Sequence, residues 1–181
     1  MQHLLPPASG LYDPRFEHDA CGVSFVVDIQ GRRSHNIVSM GIGALCSMEH
    51  RGATGAEADT GDGAGVLIQV PHRFLSEVAG FPLPAIGGYG VGLAFLPTDE
   101  QQRTSALRSI SQIANEEQLE VLGWREVPVD PSSIGASAKA VMPYFAHVFI
   151  ASKAGLTEID LDRKLFIARK RIEHELSSDE R

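Results

Sequence analysis

Cysteine is scarce in this chain: two residues in 181, Cys21 and Cys46. Two thiols cannot build the disulfide framework of a small secreted domain, so burial has to hold the fold, and a reduced, cytoplasmic setting is expected. Long apolar runs are missing as well. Stretches such as Val66–Val70 and Val91–Leu96 fall far below the ~20 residues that span a bilayer, so no membrane partner is expected. The first 20 residues, MQHLLPPASGLYDPRFEHDA, have neither the basic start nor the apolar core of a secretory signal. Positive charge is in deficit, with 16 Lys and Arg against 23 Asp and Glu and a net charge of -7. That balance opposes contact with phosphate backbones and excludes nucleic acid as the expected partner. The seven His stand in no HxxxH or paired spacing, so no metal site is expected. What remains is an ordinary globular composition, 43% hydrophobic and 22% charged, with a length that suits one domain. Glycine alone is in excess, at 18 residues against a typical ~7% of a chain.

The order of elements predicts a mixed α+β fold. A Pro-containing leader (Pro6, Pro7, Pro14) without periodicity reads as extended peptide. At Cys21 the pattern changes: Val23, Phe25 and Val27 alternate as in a strand, and Gly31 marks a turn. Ser34 is placed to cap a helix with Ile37, Val38, Ile42, Leu45 and Met48 on one face. A glycine-rich stretch, His50 to Gly65, precedes a short buried strand, Val66–Val70, and Pro71 opens a helix that Gly80 ends. Tyr89–Leu96 reads as a strand whose two glycines imply close packing. Thr98 and Gln101 form a capping box before a helix carrying Leu107, Ile110 and Ala114. Strands follow around Val121–Val127 and Ala146–Ala151. Thr157 with Asp160 caps a final helix with Leu161, Leu165, Ala168, Ile172 and Leu176 on its inner face. Trp124 is expected in the core.

Three residue groups carry potential chemistry. Cys21 opens an apolar strand and is open to two readings, a small buried side chain or a nucleophile. Cys46 sits between Leu45 and Ser47 on a helix and is expected to be buried. The loop TGDGAG, Thr60–Gly65, lacks the strand-before-loop order and the Lys of a phosphate cradle, and Asp62 would repel phosphate. Glu57, Asp59 and Asp62 lack the spacing of a calcium loop. The remaining option is a loop whose glycines let backbone approach a small substrate.

CGVSF after a short leader, then EHRGATGAE, then TGDGAGVLIQVP, resembles the glutaminase domain at the start of the glutamate synthase large subunit. These domains are class II glutamine amidotransferases of the N-terminal nucleophile (Ntn) hydrolase group. The resemblance implies a partial Ntn hydrolase αββα sandwich. It implies a leader, residues 1–20, cut from a domain spanning 21–181, with glutamine as substrate. Cys21 would then be the catalytic N-terminal nucleophile, and its own α-amine the base. Arg51 would bind substrate, in preference to a surface ion pair with Glu49, because a guanidinium suits an anionic ligand. Gly61, Asp62 and Gly63 would form the pocket loop, a direct role for Asp62 and a purely structural one standing about even. His50 is expected to pack or hydrogen-bond rather than ligate. Ammonia would pass to 2-oxoglutarate in the full enzyme. No cofactor is implied in this segment. FMN and an iron–sulfur cluster are implied for the full-length enzyme, with the remainder of the large subunit and a small reductase subunit as partners.

The resemblance also implies parts that are not found here. The family draws its oxyanion hole from an Asn-Gly pair well downstream, whereas the only Asn residues, Asn36 and Asn115, precede Ile37 and Glu116. One lost oxyanion donor lowers a rate ~10²–10³-fold. The chain is therefore expected to be the amino-terminal part of such a domain and to turn over little glutamine alone. The alternatives are a non-catalytic remnant with at most a binding or structural role, and a related amidotransferase with another ammonia acceptor.

Overall fold

A computed structural model describes residues 10, 22–49, 52, 57, 59–61 and 63–178, the last two without their side chains. The chain divides into two compact units, residues 1–68 with 131–140, and residues 69–130 with 141–181.

The second unit holds the ordered core. Its strands β1 (Tyr89–Leu96), β2 (Leu119–Glu126) and β3 (Tyr144–Ser152) form one antiparallel sheet in the order β1-β3-β2. The last strand in sequence is thus central, and it is buried on both faces, which explains its nearly unbroken apolar run FAHVFIA. On one face Val148 and Ile150 pack with Leu119, and with Ala114 of helix α3 (Glu100–Glu116) and Leu161 and Ala168 of helix α5 (Glu158–Ser178). Leu96, Ala146 and Ile110 extend this layer. On the other face Phe149, Ala151 and Tyr89 meet Leu75 and Ala79 at helix α2 (His72–Val78). Trp124 is half-buried against both helix-side clusters.

Local chemistry explains most boundaries. Asp99, not Thr98, is the N-cap of α3, its carboxylate accepting from the Gln102 amide at 2.9 Å. A carboxylate can hold that position as well as a hydroxyl can, which shifts the expected box by one residue. Pro71 stands just before α2 rather than inside it, and Gly80, at φ +79°, ends that helix. Gly90 lets α5 lie close to β1, because a Cβ there would run into Leu165. A bulge between Val121 and Gly123 shifts the register of β2. At Gly123 a Cβ would stand 2.5 Å from the Phe81 ring.

The first unit contains helix α1 (His35–Ser47), a 3-10 turn (Pro131–Ser133) and the short helix α4 (Ala136–Ala140). The last two were not anticipated. Ser34 sits at the N-cap of α1 but makes no side-chain cap bond. The turn at Gly31 is present (φ +70°), with the Asp28 carboxylate accepting from the Gln30 amide at 2.8 Å and the Arg32 Nε at 3.1 Å. The strand expected here around Val23–Val27, and the one expected at Val66–Val70 across the boundary between the units, are not formed among the described residues. Residues 22–30 and 63–70 run without strand pairing, and Val23, Phe25, Ile29 and Leu67 are 88–100% exposed. Alternation supplies an apolar face, but a strand exists only where a neighbour completes its hydrogen bonds. Cys46 is exposed, contrary to expectation. No residue of α1 is buried, so the helix offers its thiol no core to enter.

Candidate functional site

The glycine-rich stretch leads into a turn that is tied down at both backbone and side chain. The Thr60 amide donates to the Glu57 carbonyl at 3.1 Å, closing residues 57–60. The Gly135 amide then donates to the Asp59 carbonyl at 3.0 Å. One oxygen of Glu57, Oε2, accepts three times: from the Ser137 hydroxyl at 2.8 Å, the Thr60 hydroxyl at 2.9 Å and the Ser137 amide at 3.2 Å. The Ser137 hydroxyl, then the Thr60 hydroxyl and the Ser137 amide, hold this carboxyl below the usual range of glutamate. Gly135 has to be glycine for this arrangement, since a Cβ would overlap both the Thr60 hydroxyl and the Glu57 carboxylate.

The two glycines further along the loop have no such local reason. Gly63 and Gly65 do not take positive φ, and a Cβ on either would meet no atom within 4 Å. Their freedom from steric demand fits a surface that something else approaches closely. Gly61 and Gly63 are both exposed. Of the other expected site residues, Cys21, Arg51 and Asp62 lie outside the described residues, as does His50. Gly22, the neighbour of Cys21, is exposed. Gly52, the neighbour of Arg51, donates to the Glu49 carbonyl at 3.1 Å.

Sequence reasoning missed Glu57, Thr60, Gly135 and Ser137 as a group. Glu57 and Ser137 are 80 positions apart, and nothing in local pattern links them. The glycine before a short Ala-Ser helix was the one available hint.

In the second unit two cavities, of about 440 and 200 Å³, contain none of the expected site residues. The larger lies beside β2 and is lined by Ser111, Asn115, Trp124 and Lys153 among others. Half-buried His147 on β3 faces Arg125 of β2, whose Nη1 lies 3.4 Å from the imidazole Nδ1. Burial first, and the Arg125 charge second, push its pKa below the usual imidazole value. Among the described residues no group of three His, Cys, Asp or Glu could hold a metal ion, and no helix is long and apolar enough to cross a membrane.

Comparison with known proteins decides what this arrangement belongs to. The profile of the class-II glutamine amidotransferases matches residues 21–181. The chain belongs to that family. It is 40% identical over 172 residues to the glutamate synthase [NADPH] large chain of Bacillus subtilis, covering 94% of this chain and 11% of that protein. Ferredoxin-dependent glutamate synthase 2 of Synechocystis is 38% identical over 166 residues, 90% of this chain and 11% of the relative. Glutamate synthase [NADH] of Schizosaccharomyces pombe is 38% identical over 179 residues, 94% of this chain and 8% of the relative. The chain thus spans about a tenth of the length of these relatives. As a family member it inherits an Ntn-type architecture, of which the described residues show a mixed α+β part with a small antiparallel sheet.

Proposed function

We propose that this chain is the glutamine-hydrolysing part of a glutamate synthase, with Cys21 as its nucleophile once residues 1–20 are removed. The observation that carries this reading is where the family match begins: at residue 21, the cysteine itself. Cleavage between Ala20 and Cys21 converts an amide nitrogen, which cannot accept a proton, into an α-amine with a pKa of roughly 7.7–8.0. About a third of that amine is free base at pH 7.5. It takes the proton of the Cys21 thiol, and the thiolate attacks the side-chain carboxamide of glutamine. The tetrahedral intermediate expels ammonia, which leaves with the proton held by the amine. Water then hydrolyses the thioester to glutamate and restores the thiol.

Arg51 pairs with the anionic end of the substrate through its planar guanidinium. The loop of Gly61, Asp62 and Gly63 borders the pocket, which the open space at Gly63 supports. The complete domain would set a second sheet against the one described, in an αββα sandwich. In the longer enzyme ammonia would be passed to 2-oxoglutarate to make a second glutamate, in a cytoplasmic setting that keeps both thiols reduced. FMN and an iron–sulfur cluster would serve that later step, together with the rest of the large subunit and a reductase partner. The residues present do not suit the cluster, because two cysteines in the whole sequence cannot supply four thiolates. No step of the glutaminase reaction needs either group.

Intact mass of the purified protein, with and without the glutamine analogue 6-diazo-5-oxo-norleucine, tests the reading. Expected are loss of residues 1–20 and a single adduct on Cys21. Covalent capture accumulates with time, so it reports the nucleophile even where turnover is slow. A protein that keeps its first 20 residues, or that is labelled equally on exposed Cys46, overturns the assignment and favours a binding or structural role.

A further inference from the structure

We propose that Glu57 is a positioning residue, a latch that joins the glycine-rich loop to Gly135 and the first turn of α4 and thereby sets the affinity of the glutamine site. The idea rests on the function proposed above, but the latch itself is a feature of the fold. Four hydrogen bonds cross from residues 57–60 to the start of α4 or converge on the same carboxylate oxygen: Gly135 amide to Asp59 carbonyl, Ser137 amide and hydroxyl to Glu57, and Thr60 hydroxyl to Glu57. Thr60 is the residue immediately before Gly61, so the latch ends where the pocket loop begins. Beyond it Gly63 and Gly65 are exposed, and a Cβ on either would have open space around it. Flexible backbone loses entropy when it is ordered, and a loop left free would lose it on binding glutamine. Fixing one end of the loop in the free protein removes part of that loss. The consequence is weaker binding without the latch and an almost unchanged chemical step, since the Glu57 carboxylate is engaged by Ser137 and Thr60.

The geometry separates this role from simple stabilisation through four variants. Glu57→Ala removes the acceptor. Gly135→Ala keeps the carboxylate but puts a methyl group where it and Thr60 meet, so it should reproduce Glu57→Ala. Glu57→Gln keeps an acceptor oxygen at the same reach and should restore most of the behaviour. Ser137→Ala removes one hydroxyl donor, and combined with Glu57→Ala should add nothing to it.

Two readouts on the whole chain are needed. Amide hydrogen exchange of residues 59–63 should speed up about three- to tenfold in Glu57→Ala and in Gly135→Ala, the range expected for losing modest exposed hydrogen bonds. Strands β1 to β3 should keep their protection. For 6-diazo-5-oxo-norleucine, the concentration giving half-maximal labelling of Cys21 should rise by a similar factor of about three to ten, with the maximal labelling rate changed less than about twofold. Exchange that stays as in the parent protein overturns the latch. So do additive effects in the double variant, or a loss of protection that reaches the sheet. An unchanged half-maximal concentration with faster exchange overturns the role in affinity. Failure of the parent protein to label on Cys21 overturns the glutaminase reading, and the pocket role with it, while exchange still judges the latch.

Discussion

The two units of this chain carry β-prone sequence of similar quality and put it to different use. In the second, Phe149 of the central strand is completely buried, paired with β1 and β2 and covered on both faces. In the first, Phe25 stands in a β-prone run that alternates with Val23 and Val27, yet is 88% exposed and unpaired. The difference lies in partners rather than in propensity. β3 has two neighbours and helices that bring Ala114, Leu161 and Leu75 to it, whereas residues 22–30 pair with no strand among the described residues. Propensity for strand is a fit to a pleated, half-buried surface and has little force without one.

Truncating the two phenylalanines would test that comparison most severely. Phe149→Ala should destabilise the second unit by about 3–5 kcal/mol, since a fully buried aromatic leaves a cavity as well as losing its transfer energy. Phe25→Ser should change stability by less than about 0.5 kcal/mol, as for exposed positions generally. Urea denaturation measures both, the second unit through the fluorescence of the single tryptophan, Trp124, and the first through amide hydrogen exchange of residues 35–47. A large loss from Phe25→Ser would mean that the run is covered in solution, and the contrast would collapse.

The same contrast explains what could be read from sequence. In the second unit, period-3.6 stripes such as Leu161, Leu165, Ala168, Ile172 and Leu176 identified faces that do pack inward, because each face had a sheet to meet. Alternation at Val23–Val27 in the first unit, and the apolar run Val66–Val70 that crosses from the first unit into the second, predicted strands that are not formed among the described residues. Cys46 was misjudged for the same reason: apolar neighbours on a helix imply burial only if something covers the helix. The site was legible as motifs, through Cys21, Arg51 and the TGDGAG loop, since these lie in short contiguous stretches. Its support was not legible. The bonds from Ser137 to Glu57 join positions whose proximity arises only after folding, and no periodicity encodes them.

His147 offers a subtler way to sharpen the picture of the second unit. Its imidazole is favoured in the neutral form by burial and by Arg125 on the neighbouring strand, so its folded pKa lies below the ~6.5 of an unfolded chain. The unfolded state therefore binds more protons as pH falls. The contribution to stability is present in full above about pH 6.5 and is lost as pH drops through the folded value. The urea midpoint of the parent protein should fall more steeply between about pH 7 and 5 than that of His147→Gln. Nuclear magnetic resonance titration should give a midpoint that moves back up in Arg125→Leu. An imidazole titrating at or above its usual value would show that the β2–β3 face is more open to water than its packing implies.

The smallest effect is expected at the end of α3, where the backbone departs from what the side chain prefers. Gln118 takes φ +60°, just past the C-cap Glu117, and its carbonyl accepts from the Lys153 amide at 3.1 Å, which fixes the entry into β2. Helices commonly end in this left-handed conformation, but usually with glycine, which has no Cβ to crowd the carbonyl. Gln118→Gly relieves that crowding while giving the unfolded chain more freedom, two changes of opposite sign. Relief of a left-handed residue is worth ~1–2 kcal/mol and the added freedom offsets up to ~1 kcal/mol of it. A net gain of a few tenths to about 1 kcal/mol should appear in the urea midpoint, and Gln118→Val should move it the other way, since a branched Cβ worsens the clash. A glycine variant less stable than the parent would mean that the Gln118 side chain contributes to packing at the helix end, and that this turn is held by more than its backbone bonds.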